Sequence, residues 1–147
     1  MVKVYLGMCS LQRPLDSQDD VRVATEAQAV LGILRLCESG RVALVGSDAL
    51  LFELEKNPHP VRKDYAARAL SKARAFAGTD QRVEARARQF TATGMKPLDA
   101  LHLASAVEAD ADFFCTCDDR LLKRARLGVT GRTRVVSPLE LVTEVVK

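Results

Sequence analysis

The sequence predicts an α/β fold in which helices cover both faces of a central parallel sheet. Short apolar runs typical of buried strands alternate with longer segments whose apolar residues recur at helical spacing. Parallel strands need crossover connections, which helices usually supply, so this alternation favours parallel pairing. With 147 residues, the chain suits a single domain over residues 1–147 that can bury a sizeable core.

Four strands are predicted, each a short apolar run bounded by turn-forming or polar residues. They are Val2–Leu6, Val42–Val45, Phe113–Cys117 and Arg134–Val136. In open parallel sheets, functional sites form beyond the carboxyl ends of the strands. Gly7, the residues after Val45, and Asp118 are therefore expected at one edge of the sheet.

The segments between the strands are predicted to be mainly helical, on the basis of apolar spacing, caps and breaks. Residues 12–20 are expected to form a loop, and the helix after it is expected to end at Gly40. Ser47 or Asp48 can cap the next helix. Further helices are expected over residues 61–93, as a hairpin with a break near Gly78, from Pro97 to about Ala109, over Leu121–Arg126, and from Pro138 onwards.

The composition is that of a soluble globular protein, with 48% hydrophobic and 28% charged residues and no Trp. The apolar run Val2–Leu6 is too short to span a bilayer and lacks the form of a signal peptide, so a cytoplasmic location without membrane attachment is expected. The four cysteines match neither a CxxC pair nor a disulfide framework. Buried, reduced thiols are therefore the favoured interpretation.

Charge is distributed unevenly along the chain. Residues 60–96 contain nine Lys or Arg against three Asp or Glu, and residues 118–134 contain six against two. Residues 97–117 contain four acids and no base. Basic segments around an acidic pocket suit a phosphate-bearing partner, although solvated helix faces explain the same pattern equally well.

Three acidic residues fall where this architecture would bring them together. Glu53 lies in the helix after the second strand, Asp99 at the start of a later helix, and Asp118 directly after the third strand. Carboxylate oxygens are the usual protein ligands of hard divalent cations such as Mg²⁺ and Mn²⁺. Asp99 is set in a largely apolar run, so if buried it needs a partner or a metal ion.

Each of these acids also has an ordinary structural interpretation. Asp99 lies near a helix N-terminus, where it can complement the helix dipole. Asp118 or Asp119 can cap the helix that follows the third strand. Glu53 and Glu55 can be exposed helix residues, so each acid taken alone is a weak signal.

Four segments of the chain resemble the signature of a known family. They are Val4-Tyr5-Leu6-Gly7-Met8-Cys9-Ser10, Leu50-Leu51-Phe52-Glu53-Leu54, Leu98-Asp99-Ala100-Leu101-His102-Leu103-Ala104 and Thr116-Cys117-Asp118-Asp119-Arg120-Leu121-Leu122. Their order and spread over nearly the whole chain resemble PIN domains. The proteins that look most similar are VapC-type ribonuclease toxins and related small bacterial PIN proteins.

The resemblance implies a PIN-like three-layer sandwich and a metal-dependent endoribonuclease that uses Mg²⁺ or Mn²⁺. It also implies an RNA substrate, frequent homodimerisation and inhibition by a small antitoxin protein. Carried over by position, Glu53, Asp99 and Asp118 match the acidic catalytic and metal-binding residues, and Asp119 matches an auxiliary metal ligand. Thr116 matches a hydroxyl residue that supports the site.

Gly7 departs from the family pattern, which places an aspartate immediately after the first strand. Glycine offers no carboxylate, so metal affinity should fall. Asp16, Asp19 or Asp20 would compensate only if the following loop folds back over the site. Two functions therefore remain open, a weakened ribonuclease and a catalytically inactive PIN module that binds RNA or a partner protein.

The basic residues have an expected role in either case. Those within Arg62–Arg88 or Arg120–Arg126 are expected to position an RNA backbone, with salt-sensitive binding and little readout of base sequence. His102 is expected to pack or form hydrogen bonds beside Asp99 rather than to act as a general base.

Overall fold

The central sheet contains five parallel strands in the computed structural model, which describes residues 1–146. In chain order these strands are β1 (Val2–Leu6), β2 (Val42–Ser47), β3 (Ala75–Ala77), β4 (Phe113–Cys115) and β5 (Arg134–Val136). Their order in space is β3-β2-β1-β4-β5. All four pairings are parallel, which confirms the predicted fold class.

Eight α-helices of the described residues flank the sheet. They are α1 (Met8–Leu11), α2 (Val21–Glu38), α3 (Asp48–Lys56), α4 (Pro60–Leu70), α5 (Gln81–Ala92), α6 (Pro97–Glu108), α7 (Asp119–Arg126) and α8 (Pro138–Val145). Ser47 caps α3 by accepting a hydrogen bond from the Leu50 amide. Gly40, with a φ of +81°, turns the chain after α2, as predicted.

The main difference from the sequence-based prediction lies in residues 61–93. The predicted helical hairpin is wrong, because β3 separates α4 from α5. β3 pairs on one side only, with Val45 opposite Ala75 and Gly46 opposite Phe76. A strand of three residues is too short to show a period of two, and its alanines suit a helix equally well.

The segment predicted as a loop, residues 12–20, follows α1 and contains a 3₁₀ turn at Arg13–Leu15. Arg13 holds this turn against α2, since its guanidinium donates to the buried carboxylate of Glu26 at 2.7 Å and 3.1 Å. Asp16, at the end of the turn, forms ion pairs with Arg13 and Arg62. These contacts direct the loop towards α2 and α4.

The position of β1 determines where a crevice opens. β1 lies between β2 and β4. The chain adds β2 and β3 on one side of β1 and then adds β4 and β5 on its other side. The carboxyl ends of strands beside such a switch point form a natural crevice. Gly7 follows β1 and Thr116 follows β4 at this crevice. Within residues 1–146, no helix is long and apolar enough to cross a membrane.

Candidate active site

Asp99 and Asp118 line the same cleft, which has a volume of about 500 Å³. Asp99 belongs to the first turn of α6, and Asp118 is the N-cap residue of α7. Basic side chains also line this cleft, namely Lys96, Arg120, Lys123 and Arg124. Two acids and four bases thus share one opening near the carboxyl end of β4.

The Asp99 carboxylate is half-buried and forms neither a hydrogen bond nor an ion pair with residues 1–146. Burial raises the pKa of Asp99, and repulsion from Asp118 raises it further. The negative charge of Glu53 acts in the same direction, whereas His102 and Lys96 oppose it. A carboxylate in this condition is stabilised by a bound cation.

Asp118 has the capping role that its sequence position allows. Its Oδ1 accepts hydrogen bonds from the amides of Arg120 at 2.9 Å and Leu121 at 3.3 Å. The Asp118 amide in turn donates to the Thr116 hydroxyl at 3.1 Å. Thr116 therefore supports the backbone of Asp118, and the cap fixes the carboxylate at the cleft.

Glu53 is held by a hydrogen-bonded network that the sequence did not predict. Its Oε1 lies 2.7 Å from His102 Nε2, and His102 Nδ1 lies 2.6 Å from the Tyr5 hydroxyl. The Tyr5 hydroxyl also lies 2.6 Å from the Ser47 hydroxyl. Burial raises the pKa of Tyr5 far above its usual value, so the phenol stays protonated.

This network links four elements, of which β2 contributes Ser47. Tyr5 comes from β1, His102 from α6 and Glu53 from α3. Glu53 does not line the cleft itself, but its charge contributes to the raised pKa of Asp99. His102 thus forms hydrogen bonds, as expected, with Glu53 and Tyr5 as its partners, and it also acts electrostatically on Asp99.

Asp119 and the acids of the preceding loop are engaged elsewhere. Both carboxylate oxygens of Asp119 accept from Arg22 at 2.8 Å. Asp16 is ion-paired with Arg62, Asp20 caps α2, and Asp19 accepts from the Ser17 hydroxyl. No group of three His, Cys, Asp or Glu side chains in the described part of the chain is arranged to hold one metal ion.

Gly7 lies where the family pattern has its aspartate. Its backbone is extended, with φ −61° and ψ 158°, a conformation open to any residue. Its amide donates to the Cys115 carbonyl at 3.0 Å. An added Cβ would lie 3.3 Å from that carbonyl oxygen, so a side chain here requires a shift of only a few tenths of an ångström.

The acids of the cleft suit a hydrated cation better than a fully enclosed one. Mg²⁺ in proteins commonly keeps several waters and is bound by one or two carboxylates together with substrate phosphates. Asp99 and Asp118 meet that requirement. The donor set therefore fits a divalent cation of low affinity, completed by water and a phosphate.

Each predicted basic segment contains both paired and unpaired bases among the residues that the structure describes. Arg62, Arg68 and Arg86 in the first segment are ion-paired with Asp16, Asp64 and Glu108. Within residues 1–146, Lys96, Arg120 and Lys123 form no ion pair. The cleft therefore has positive charge without an ion pair beside its two acids.

Comparison with known proteins identifies the family. A family profile described as the PIN domain matches residues 15–127 and so begins after the segment that contains Gly7. The crystal structure of PAE2754 from Pyrobaculum aerophilum has a similar fold, with a TM-score of 0.54 over 99% of this chain and 90% of that chain at 13% identity. No curated protein sequence matches the chain. Because the profile covers well over half of its residues, this chain belongs to the PIN domain family, whose members are nuclease-type proteins.

Proposed function

We propose that the chain is a ribonuclease that depends on Mg²⁺ or Mn²⁺ and binds the cation weakly because position 7 has no carboxylate. The observation that carries this proposal is Asp99. A half-buried carboxylate without a partner, repelled by Asp118 in a shared cleft, is an unfavourable arrangement that a cation relieves. Free basic side chains in the same cleft suit the phosphates of RNA.

The roles follow from the positions of the side chains. Asp99 and Asp118 would hold the cation, which when bound activates a water and stabilises charge on the scissile phosphate. Glu53, oriented by His102, adds negative potential behind Asp99. Lys96, Arg120 and Lys123 bind the RNA backbone on either side of the acids.

The toxin type is a narrower part of the proposal. The four motif segments support a VapC-type toxin in the cytoplasm, with a homodimeric state and a small antitoxin partner. Light scattering on the purified chain tests the dimer, and co-purification with the product of an adjacent small reading frame tests the antitoxin. A monomer without such a partner would leave a ribonuclease that is not of the toxin type.

A second function is favoured by two specific observations. Gly7 supplies no ligand, and the described residues contain no group of three side chains arranged for one metal ion. A PIN module that binds RNA through the basic side chains of the cleft, without cleaving it, is compatible with both. The ribonuclease would cleave RNA when a divalent cation is present, whereas the binding module would leave the RNA intact.

Gly7→Asp tests the proposal directly. We expect this variant to cleave RNA in Mn²⁺ at least about tenfold faster than the wild type, because it adds a carboxylate beside the ends of β1 and β4. Gly7→Asn is the matched control, since it has the same shape without the charge. The measurement is the cleavage rate of a labelled single-stranded RNA over a titration of Mn²⁺.

Three results would decide between the functions. Loss of the gained cleavage in Gly7→Asp with Asp99→Asn supports the ribonuclease. Equal cleavage by Gly7→Asp and Gly7→Asn would overturn the assigned metal role. Cation-independent RNA binding without cleavage by any variant would support the non-catalytic module.

A further inference from the structure

Three thiols and two hydroxyls form a cluster where β1 and β4 end. This thiol cluster consists of Cys9, Ser10, Cys115, Thr116 and Cys117. The parallel pairing of β1 with β4, in which Leu6 lies opposite Cys115, brings the two short segments together. Of its members, Thr116 also supports the cation site proposed above, through the hydrogen bond that it accepts from the Asp118 amide.

Within the thiol cluster, Cys9 and Cys117 are in contact. The Cys117 amide donates to Cys9 Sγ at 3.5 Å. The Ser10 hydroxyl lies 3.5 Å from Cys117 Sγ, and the Thr116 hydroxyl lies 3.6 Å from Cys9 Sγ. Cys9 and Cys117, 108 positions apart in sequence, are thus in contact, and hydroxyls of the same cluster lie beside both sulfur atoms.

The four cysteines differ in how well solvent reaches them. Cys9 is exposed and Cys117 is partly exposed, whereas Cys37 and Cys115 are buried. Hydrogen bonding from the side chain of Cys117 lowers the pKa of Cys9 to about 6. Desolvation of the Cys9 sulfur opposes this shift, and the Cys117 amide adds to it. Burial raises the pKa of Cys37 to about 11. Thiolates are the nucleophilic form of cysteine, so Cys9 has the properties of a reactive thiol and Cys37 does not.

We propose that Cys9 and Cys117 are a modification site, an oxidisable dithiol that hydroperoxides convert to a disulfide. The Cys9 sulfur attacks the terminal peroxide oxygen, which forms an S–O bond, breaks the O–O bond and releases hydroxide or alkoxide that takes up a proton. The Cys117 sulfur then attacks Cys9, forming the S–S bond and releasing water. Two thiols are oxidised by two electrons, and the peroxide is reduced.

A disulfide here has a structural consequence for the acidic cleft. Cys117 immediately precedes Asp118, and Cys9 belongs to α1. The new bond would tie α1 to the backbone that presents the Asp118 carboxylate. The oxidation itself does not depend on the proposed ribonuclease, so each can fail without the other.

The test treats the reduced full-length protein with hydrogen peroxide, then alkylates the remaining thiols after denaturation and maps the peptides by mass spectrometry. We expect a pair of peptides joined by a disulfide between Cys9 and Cys117, which dithiothreitol should reduce. Cys37 should stay a free thiol and react with the alkylating reagent. Oxidation of Cys9 should be at least about tenfold faster than that of Cys37. In Cys117→Ser, dimedone should trap Cys9 as a sulfenic acid, and Cys37→Ser should behave like the wild type.

The proposal is overturned if Cys9 and Cys117 both remain alkylatable at peroxide levels that oxidise a small-molecule thiol. A disulfide that joins two chains, or one that joins Cys9 to Cys115, would also overturn it. These readouts use mass and labelling, so they hold whether or not the protein cleaves RNA.

Discussion

A half-buried carboxylate without a partner costs folding free energy, and Asp99 is such a group. Its raised pKa means that the protonated form favours the folded state. The ionised form therefore lowers the stability increasingly as the pH rises from the unfolded pKa of the carboxyl through its folded pKa. Above the folded pKa this cost is fully present, and a bound cation would offset it.

Asp99→Asn is accordingly expected to stabilise the protein at pH 7 in the absence of divalent ions, by roughly 1–3 °C in Tm. The gain in Tm should vanish at pH values well below the pKa of Asp99 in the unfolded chain, where aspartic acid and asparagine are both uncharged. Asp119→Asn is the control and should lower the Tm at pH 7. Arg22 lowers the pKa of Asp119, and the substitution removes that ion pair. Thermal melts with and without Mn²⁺ provide the measurement, and a lower Tm for Asp99→Asn would contradict the interpretation.

Tyr5 provides a second test for a single residue. Tyr5→Phe removes the hydroxyl that lies between Ser47 and His102 and leaves both side chains buried with one partner fewer. We expect a loss of about 1–3 kcal/mol in the free energy of unfolding, measured by urea denaturation. Tyr65→Phe is the matched control, since the Tyr65 hydroxyl forms no hydrogen bond with residues 1–146. Equal losses in the two variants would show that the network contributes nothing to stability.

At the level of elements, local sequence signals predicted what depends on neighbours in the chain. β1 and β5 have their predicted bounds, and α6 begins at Pro97 as expected. β3 was missed because edge pairing with β2, and not its own composition, makes it a strand. The sequence also placed Asp99 and Asp118 at one edge, where they share the cleft. It could not predict the contact of Glu53 with His102, which depends on the packing of α3 against α6.

The attachment of the 3₁₀ turn to α2 can be tested through its buried ion pair. Arg13→Ala leaves the carboxylate of Glu26, which is 2% exposed, with only Arg22 at 3.6 Å. We expect a loss of about 2 kcal/mol in the free energy of unfolding, because an uncompensated buried charge is costly. In a Glu26→Gln background, Arg13→Ala should lower the free energy of unfolding by clearly less. Additive losses in this double-mutant cycle would contradict a direct interaction between the two residues.

Across the whole molecule, the two edges of the sheet differ in charge pattern. The carboxyl edge has Asp99 and Asp118 beside free bases, whereas Arg132 at the amino edge is paired with Asp112. RNA binding should therefore depend on the cleft and should weaken steeply with salt, because phosphate contacts release counterions.

Removing cleft charges should reduce this salt dependence. For Arg120→Ala with Lys123→Ala, we expect the slope of log K against log salt to fall in magnitude by about 1.4 for single-stranded RNA, which corresponds to two lost phosphate contacts. Arg41→Ala with Arg132→Ala removes the same charge near the amino ends of the strands and should leave the slope unchanged. Fluorescence anisotropy at several salt concentrations measures both. Equal slopes for the two double variants would place RNA binding elsewhere.

The extended backbone at Gly7 also bears on how such a site changes over evolution. Each glycine codon becomes an aspartate or a glutamate codon through one base change, and the extended backbone at position 7 is open to either residue. A side chain there requires the Cys115 carbonyl oxygen to shift by a few tenths of an ångström. A lineage that carries this chain can gain a carboxylate at the end of β1 in a single mutational step, without first remodelling the protein around it.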